Sequence, residues 1–288
     1  MILTENVVER RKQERYLKSQ LSAGSIDVNI MTKVDRNHIN KSGEVISDAS
    51  DAVSALRGYA QSELTNSSVI FSAGMNPRLY NYLESLNAFD PDENFEFAKR
   101  VIVKVSDYRS ALIQGKYLAK KGIWVSEFRI ESGLNCGGHA FATDGYLLGP
   151  ILEEFKSKQQ ELKDTIFEIY KSAINKKLDI DFSEVPELRI TVQGGIGAAE
   201  EDTLLRNHFN IASTGWGTPF LLVPEATTVD EHTLHLLSAA GENDIELSNN
   251  SPLGVRFHYL KGTTADIEKK QRIMKVSRVA PALKNILH

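Results

Sequence analysis

The chain has 288 residues, of which 41% are apolar, and this suffices for one large domain or two modest ones. Its 34 basic and 38 acidic side chains are spread evenly and give a formal net charge of −4, so we expect neither a nucleic-acid partner nor a membrane partner. No apolar run approaches the roughly 18–20 residues of a membrane span. The single cysteine, Cys136, excludes an internal disulfide, and we expect a cytoplasmic protein.

Strand-like and helix-like patterns alternate along most of the chain. Residues 1–24 predict a charged helix, residues 25–225 the main domain, and residues 226–288 a tail with helical and extended segments. The strands are rich in β-branched residues without strict polar alternation, which indicates burial on both faces, as in parallel sheets covered by helices. Six strands are predicted, at Ile26–Met31, Ser68–Ser72, Arg100–Val105, Ile123–Ile130, Leu188–Gln193 and Ile211–Trp216.

Helices with recognisable ends separate the strands. Pro77 suits the first turn of a helix that runs to about Leu86, and Leu148–Lys176 predicts a long helix with a solvated, charged face. Ser106 is the expected N-cap of a helix that ends just before Gly122. Repeated strand–helix units imply a parallel sheet, either closed as a TIM-type (β/α) barrel or open as a doubly wound α/β fold.

Two glycine-rich turns favour the barrel. Gly194 and Gly195 follow the fifth predicted strand, and Gly217 and Thr218 follow the sixth. In (β/α) barrels the loops after the last two strands commonly bind a phosphate through backbone N–H groups. Glycine allows a dianion to approach these amides and permits a positive φ. The alternative that the glycines only make tight turns remains open, whereas the missing G-x-G-x-x-G spacing disfavours a Rossmann fold.

The loop after the fourth predicted strand carries the most chemistry. It begins at Glu131 and contains Cys136, Gly137, Gly138 and His139. A histidine behind two glycines can lie close to a flat cofactor, and its imidazole can take a proton from a weakly acidic carbon near neutral pH, so His139 is the candidate base. Two alternatives remain open. His139 could be a structural residue held by backbone hydrogen bonds, and Cys136 could be a nucleophile rather than a small packing residue.

A metal site is not predicted. His232 and His235 are spaced to share a helix face, but Glu231 beside them does not complete the H-E-x-x-H pattern.

Four segments together resemble a known family. They are the strand–helix–strand–turn segment that ends in Gly-Gly-His, the VQGGIG turn, the GWGTPF strand end and the downstream segment SPLGVRFHYLKGT. In this order they are similar to the nitronate monooxygenases and to their flavin-dependent enoyl-acyl-carrier-protein reductase relatives, over roughly Ser25–Gly262.

The resemblance implies FMN as the cofactor and a small molecule as the substrate. It implies that His139 is the base that takes the proton α to a nitro group, after which flavin chemistry with O₂ oxidises the nitronate. The FMN phosphate would bind at Gly194, Gly195, Gly217 and Thr218. The other cofactor-binding residues would be Asn29, Lys104, Glu131, Gly137 and Gly138.

The strand count departs from the family. A closed barrel has eight strands, and the sequence predicts six, the first of which resembles the family's third. We therefore expect an incomplete barrel whose open edge is covered by the N-terminal helix, by a second copy in a homo-oligomer, or by a partner that supplies strands.

Three functions are compatible with these patterns. The first is an FMN-dependent oxidoreductase that resembles nitronate monooxygenases. The second is an FMN-dependent enoyl reductase that takes hydride from NAD(P)H. The third is a non-catalytic barrel fragment or subunit that binds a phosphate-bearing ligand.

Overall fold

Six parallel strands form the main sheet. A computed structural model describes these residues: 7–22, 24–31, 35–72, 74–131, 148–179, 181–182, 184–194, 196, 198–215, 229–248 and 257–274. The strands pair in chain order, each parallel to the next. They are β1 (Ile26–Met31), β2 (Ser67–Ser72), β3 (Lys99–Val105), β4 (Val125–Ile130), β5 (Arg189–Gln193) and β6 (Ser213–Gly215). All six predicted strands are confirmed, although β4, β5 and β6 begin later than predicted, and Trp216 lies outside the described residues.

Helices alternate with these strands, and a smaller unit follows them. The helices of the main part are α1 (Val7–Ser19), α2 (Asp51–Gln61), α3 (Pro77–Glu84), α4 (Tyr108–Ala119), α5 (Leu148–Leu178) and α6 (Ala199–Phe209). Beyond them lie α7 (Glu231–Ala239), an antiparallel hairpin of β7 (Ile245–Ser248) and β8 (Phe257–Leu260), and α8 (Thr264–Met274).

The start of α4 corrects one prediction. Asp107, not Ser106, is the N-cap, because an Asp107 carboxylate oxygen accepts a hydrogen bond from the Ser110 N–H at 2.8 Å. The Ser106 hydroxyl instead donates to the same carboxylate at 2.6 Å. Either residue type can cap a helix, but the carboxylate adds a negative charge that the helix N-terminus favours. The other end agrees with the sequence, since Gly122 follows α4 with a φ of +70°.

The sheet curls into a half-barrel. In a flat sheet β1 and β4 would lie about 14 Å apart, which is three strand spacings. In the protein, Arg129 Nη2 on β4 lies 3.3 Å from Asp27 Oδ2 on β1. The side chains can meet only because the strands curve towards each other on this concave face.

The convex face carries the hydrophobic core. Val103, Phe128 and Ile130 are fully buried there, in one cluster with residues of α2 to α5. Helices α4 and α5 approach closely at Gly115, where an added Cβ would lie 2.4 Å from Ile166 Cδ1. Glycine at this position therefore sets the distance between the two helices.

The concave face contains buried residues, in agreement with the predicted burial on both faces, but several of them are polar or charged. Its alternate positions include the buried residues Ile102, Lys104, Glu127 and Thr191. The buried charges are paired: Glu127 Oε1 accepts hydrogen bonds from Arg129 Nε at 2.8 Å and from the Thr191 hydroxyl at 2.6 Å. Because partners replace the water that these groups lose, a buried polar face is compatible with the fold.

Candidate active site at the carboxyl edge of the sheet

Three neighbouring strands bring polar side chains together where they end. Lys104 lies near the end of β3, Glu131 follows β4 directly, and Gln193 is the last residue of β5. Lys104 Nζ lies 2.6 Å from Glu131 Oε2, and Gln193 Nε2 donates to Glu131 Oε1 at 2.6 Å. In (β/α) barrels this edge of the sheet builds the active site. We call these three residues the edge cluster.

The Glu131 carboxylate holds the edge cluster together. One of its oxygens contacts Lys104 and the other contacts Gln193, while its backbone N–H donates to the Val105 carbonyl at 3.0 Å. The side chains of Lys104 and Glu131 are 10% and 18% exposed, so little water competes with this ion pair. Glu131 thus neutralises and orients the Lys104 ammonium, which is the group better suited to meet an anionic ligand.

Gln193 was not among the residues predicted from the sequence. The signal that could have found it is the period of two along β5, which places Gln193 on the same face as Arg189 and Thr191. Polar residues at alternate positions of a strand predict a polar face, and the strand end brings Gln193 to the carboxyl edge. Its contact with Glu131 depends on the pairing of β4 with β5, which the residues of β5 alone do not reveal.

The glycine turn after β5 is tied to β6. Gly194 has a φ of +84°, a conformation that favours glycine, and its N–H donates to the Gly215 carbonyl at 3.1 Å. A Cβ added to Gly215 would lie 2.8 Å from Gln193 Cβ, so the two strand ends approach closely. The Gly194 N–H is therefore already engaged, and an incoming phosphate would have to rely on other amides of the turn.

The N-terminus of α6 already has its own negative charge. Glu201 Oε2 accepts a hydrogen bond from the Ala198 N–H at 3.1 Å, and Glu200 and Asp202 lie in the same first turn. Hydrogen bonds from Thr214 and then from Arg206 hold the pKa of Asp202 below its usual value, so this carboxylate stays ionised. These acidic groups disfavour a second anion at the end of α6.

Asp35 joins the loop after β1 to the starts of α2 and α3. Its carboxylate contacts the Arg78 guanidinium and accepts hydrogen bonds from the Ser50 hydroxyl and the Ala52 N–H, each at 3.0 Å. Burial alone would raise the pKa of Asp35, but the hydrogen bonds from Arg78, Ala52 and Ser50 outweigh it, so the pKa lies below its ordinary value. Asp35 follows β1 and Arg78 lies in α3, so the contact fixes the loop after β1 against the helix after β2.

The remaining predicted site residues separate into two groups. Asn29 lies level with Ile70 and Ile102 along the sheet, which is two residues deeper than Lys104, so it is not part of the edge cluster. The others lie outside the described residues, as does Cys136, and their roles stay predictions: Gly137, Gly138, His139, Gly195, Gly217 and Thr218.

A cavity of about 620 Å³ lies along the concave face, towards the amino ends of the strands. Its lining includes Arg129, the two carboxylates that pair with it, Asp27 and Glu127, and further residues of β2 to β6. The cavity and the edge cluster thus lie towards opposite ends of the strands.

Comparisons with known proteins do not identify a relative. No protein-family model matches the chain, and no curated protein matches it significantly.

Within the described ranges, no helix has the length and apolar character needed to cross a membrane. The same ranges contain no group of three or more histidine, cysteine, aspartate or glutamate side chains arranged to hold a metal ion.

Proposed function

We propose that the protein is an FMN-dependent oxidoreductase that acts on nitronates or similar small carbon acids. The observation that carries the proposal is the edge cluster, a cation held by an ion pair at the carboxyl ends of three parallel strands. A glycine turn with a positive φ begins one residue beyond it, at Gly194. The sequence resemblance to nitronate monooxygenases supplies the particular chemistry.

The described residues fit FMN in part. The Lys104 ammonium suits the electron-rich edge of a flavin ring or a phosphate, and Gln193 can present its carbonyl oxygen to an N–H donor. The acidic first turn of α6 does not suit a phosphate, and the Gly194 N–H is engaged with Gly215. The phosphate would therefore bind to the turns at Gly195 and Gly217 rather than to the end of α6.

In the proposed reaction the chain binds and orients the substrate and moves one proton. His139 would take the proton from the carbon next to the nitro group, because an imidazole accepts protons near neutral pH. Lys104, fixed by Glu131, would stabilise negative charge that develops nearby. Bound FMN would supply the redox chemistry.

The first test is reconstitution of the full chain with FMN. We expect the visible absorption bands of a bound flavin after removal of free FMN, and quenching of flavin fluorescence during the titration. Lys104→Met should weaken FMN binding about tenfold, whereas Lys12→Met, which removes an exposed charge from α1, should not. A chain that retains no flavin would contradict the proposal.

The second test concerns the reaction. With a neutral nitroalkane and O₂, the reconstituted protein should consume oxygen, and His139→Ala should abolish this consumption while retaining FMN. Anaerobic mixing with NADH or NADPH distinguishes the related activity, since rapid bleaching of the flavin would favour an enoyl reductase. Unchanged oxygen consumption by His139→Ala would show that His139 is not the base.

A further inference from the structure

Serine and arginine alternate across the sheet near its amino end. Ser68 lies on β2, Arg100 on β3, Ser126 on β4, Arg189 on β5 and Ser213 on β6, and all five line the concave cavity of about 620 Å³. Ser68 is paired with Arg100 in the strand register. Arg189 Nη2 donates to the Ser213 hydroxyl at 3.3 Å. We call these five residues the serine–arginine layer.

A β-bulge brings Ser126 into this layer. The register between β3 and β4 changes from Val101 opposite Val125 to Ile102 opposite Glu127, so Ser126 has no partner opposite it. A bulge redirects a side chain, and bulges are frequent beside binding sites. Here the irregular residue is Ser126, which lines the cavity.

The hydroxyls of two buried serines face the cavity without a protein partner. Ser68 and Ser126 are 3% and 9% exposed, and among the described residues neither hydroxyl has a hydrogen-bonding partner. Neither hydroxyl is sealed from the cavity, so water or a ligand there can supply its hydrogen-bonding partner. The two hydroxyls are therefore available to a molecule in the cavity.

The two arginines of the layer lack a close counter-charge. Arg100 donates to the Asn66 side-chain oxygen at 2.6 Å, and no carboxylate of the described residues lies within ion-pair distance of it. Arg189 comes only within 4.0 Å of Glu127, whose other oxygen is engaged by Arg129 and Thr191. Four carboxylates also line the cavity: Arg129 engages Asp27 and Glu127, and Glu96 and Glu187 lie outside ion-pair distance of Arg100 and Arg189. The two guanidinium groups can therefore take a further anionic partner.

We infer that the serine–arginine layer binds a small oxyanion, the phosphate or carboxylate group of a small metabolite. Guanidinium groups match both kinds of oxyanion with paired N–H donors, and the serine hydroxyls supply single donors beside them. The cavity volume falls in the range of small-molecule sites. This site is distinct from the edge cluster and does not depend on the proposed function.

Calorimetric titrations of the full chain with inorganic phosphate and with malonate, at constant ionic strength, test this inference. We expect at least tenfold weaker binding for Arg100→Met and for Arg189→Met. Arg109→Met, which removes an exposed charge from α4, is the matched control and should bind like the wild type.

Ser126→Ala removes one hydroxyl and no charge, so it tests the site even if an arginine variant fails to fold. We expect binding about threefold weaker with an unchanged circular dichroism spectrum. Tighter binding of phosphate would identify a phosphorylated metabolite, and tighter binding of malonate a carboxylic acid. The inference is overturned if the wild type binds neither anion at millimolar concentration, or if folded Arg100→Met, Arg189→Met and Ser126→Ala all bind as tightly as the wild type.

Discussion

The two faces of the main sheet contribute to stability in different ways. On the convex face Val103, Phe128 and Ile130 are fully buried against helices, and their contribution depends on volume and fit. On the concave face Glu127 and Lys104 are almost as buried, but their contribution depends on having the right partner. A strand of this protein therefore has one side that stabilises the fold and one side that is available for chemistry.

The largest effect should come from the convex face. Phe128→Ala should lower the free energy of unfolding by about 3–5 kcal/mol, because it leaves a cavity among fully buried neighbours. Urea denaturation followed by circular dichroism measures this change. Phe128→Leu keeps more of the side-chain volume and should lower the free energy of unfolding clearly less. If both variants lowered the free energy of unfolding equally, the stability contributed by the convex face would not depend on side-chain packing.

A smaller effect is expected from the buried charges of the concave face. Glu127→Gln should lower the free energy of unfolding by about 2 kcal/mol, because it removes the charge that Arg129 meets at 2.7 Å. The control is Glu154→Gln, which breaks an exposed ion pair with Lys158 on α5 and should give no measurable change. Equal effects of the two substitutions in urea denaturation would mean that the concave face behaves like ordinary surface.

Substitutions at two glycines test the effect of an added Cβ in a closely packed place and in open space. Gly115→Ala should destabilise the protein by about 1 kcal/mol, since the new Cβ would lie 2.4 Å from Ile166 Cδ1 within the core. Gly58→Ala, in α2, has no heavy atom within 4 Å of the new Cβ and should stabilise by about 0.5–1 kcal/mol. Thermal unfolding of the two variants should shift in opposite directions. A stabilising Gly115→Ala would show that α4 and α5 separate easily.

The smallest effect concerns the contacts of Asp35 and depends on pH. The folded-state pKa of Asp35 lies below its ordinary value of 3.8, so the carboxylate stabilises the fold above that pH, and this contribution is lost as the pH falls through the folded-state pKa. The difference in stability between wild type and Asp35→Asn should therefore be greatest near neutral pH and narrow below about pH 3.8. A constant difference from pH 7 to pH 3 would contradict this role of Asp35.

The strands of the sheet were predictable because residues that are buried on a parallel sheet are rich in valine and isoleucine. The polar face was missed although its signal is visible: Arg100 and Lys104 in β3, and Glu127 and Arg129 in β4, follow a period of two. The contacts within the edge cluster were not predictable, because the contact of Glu131 with Gln193 joins strands that are separated by the long helix α5. The choice of Asp107 over Ser106 as the cap is likewise a matter of local geometry between two suitable residues.

The contact between Asp27 and Arg129 has a consequence for the rate of unfolding. It joins residues 102 positions apart, so it closes a long loop and should form late, after the neighbouring strands have paired. A contact that is absent from the folding transition state mainly slows unfolding and leaves the folding rate almost unchanged. The contact that closes the curl of the sheet would then lengthen the lifetime of the folded chain more than it speeds folding.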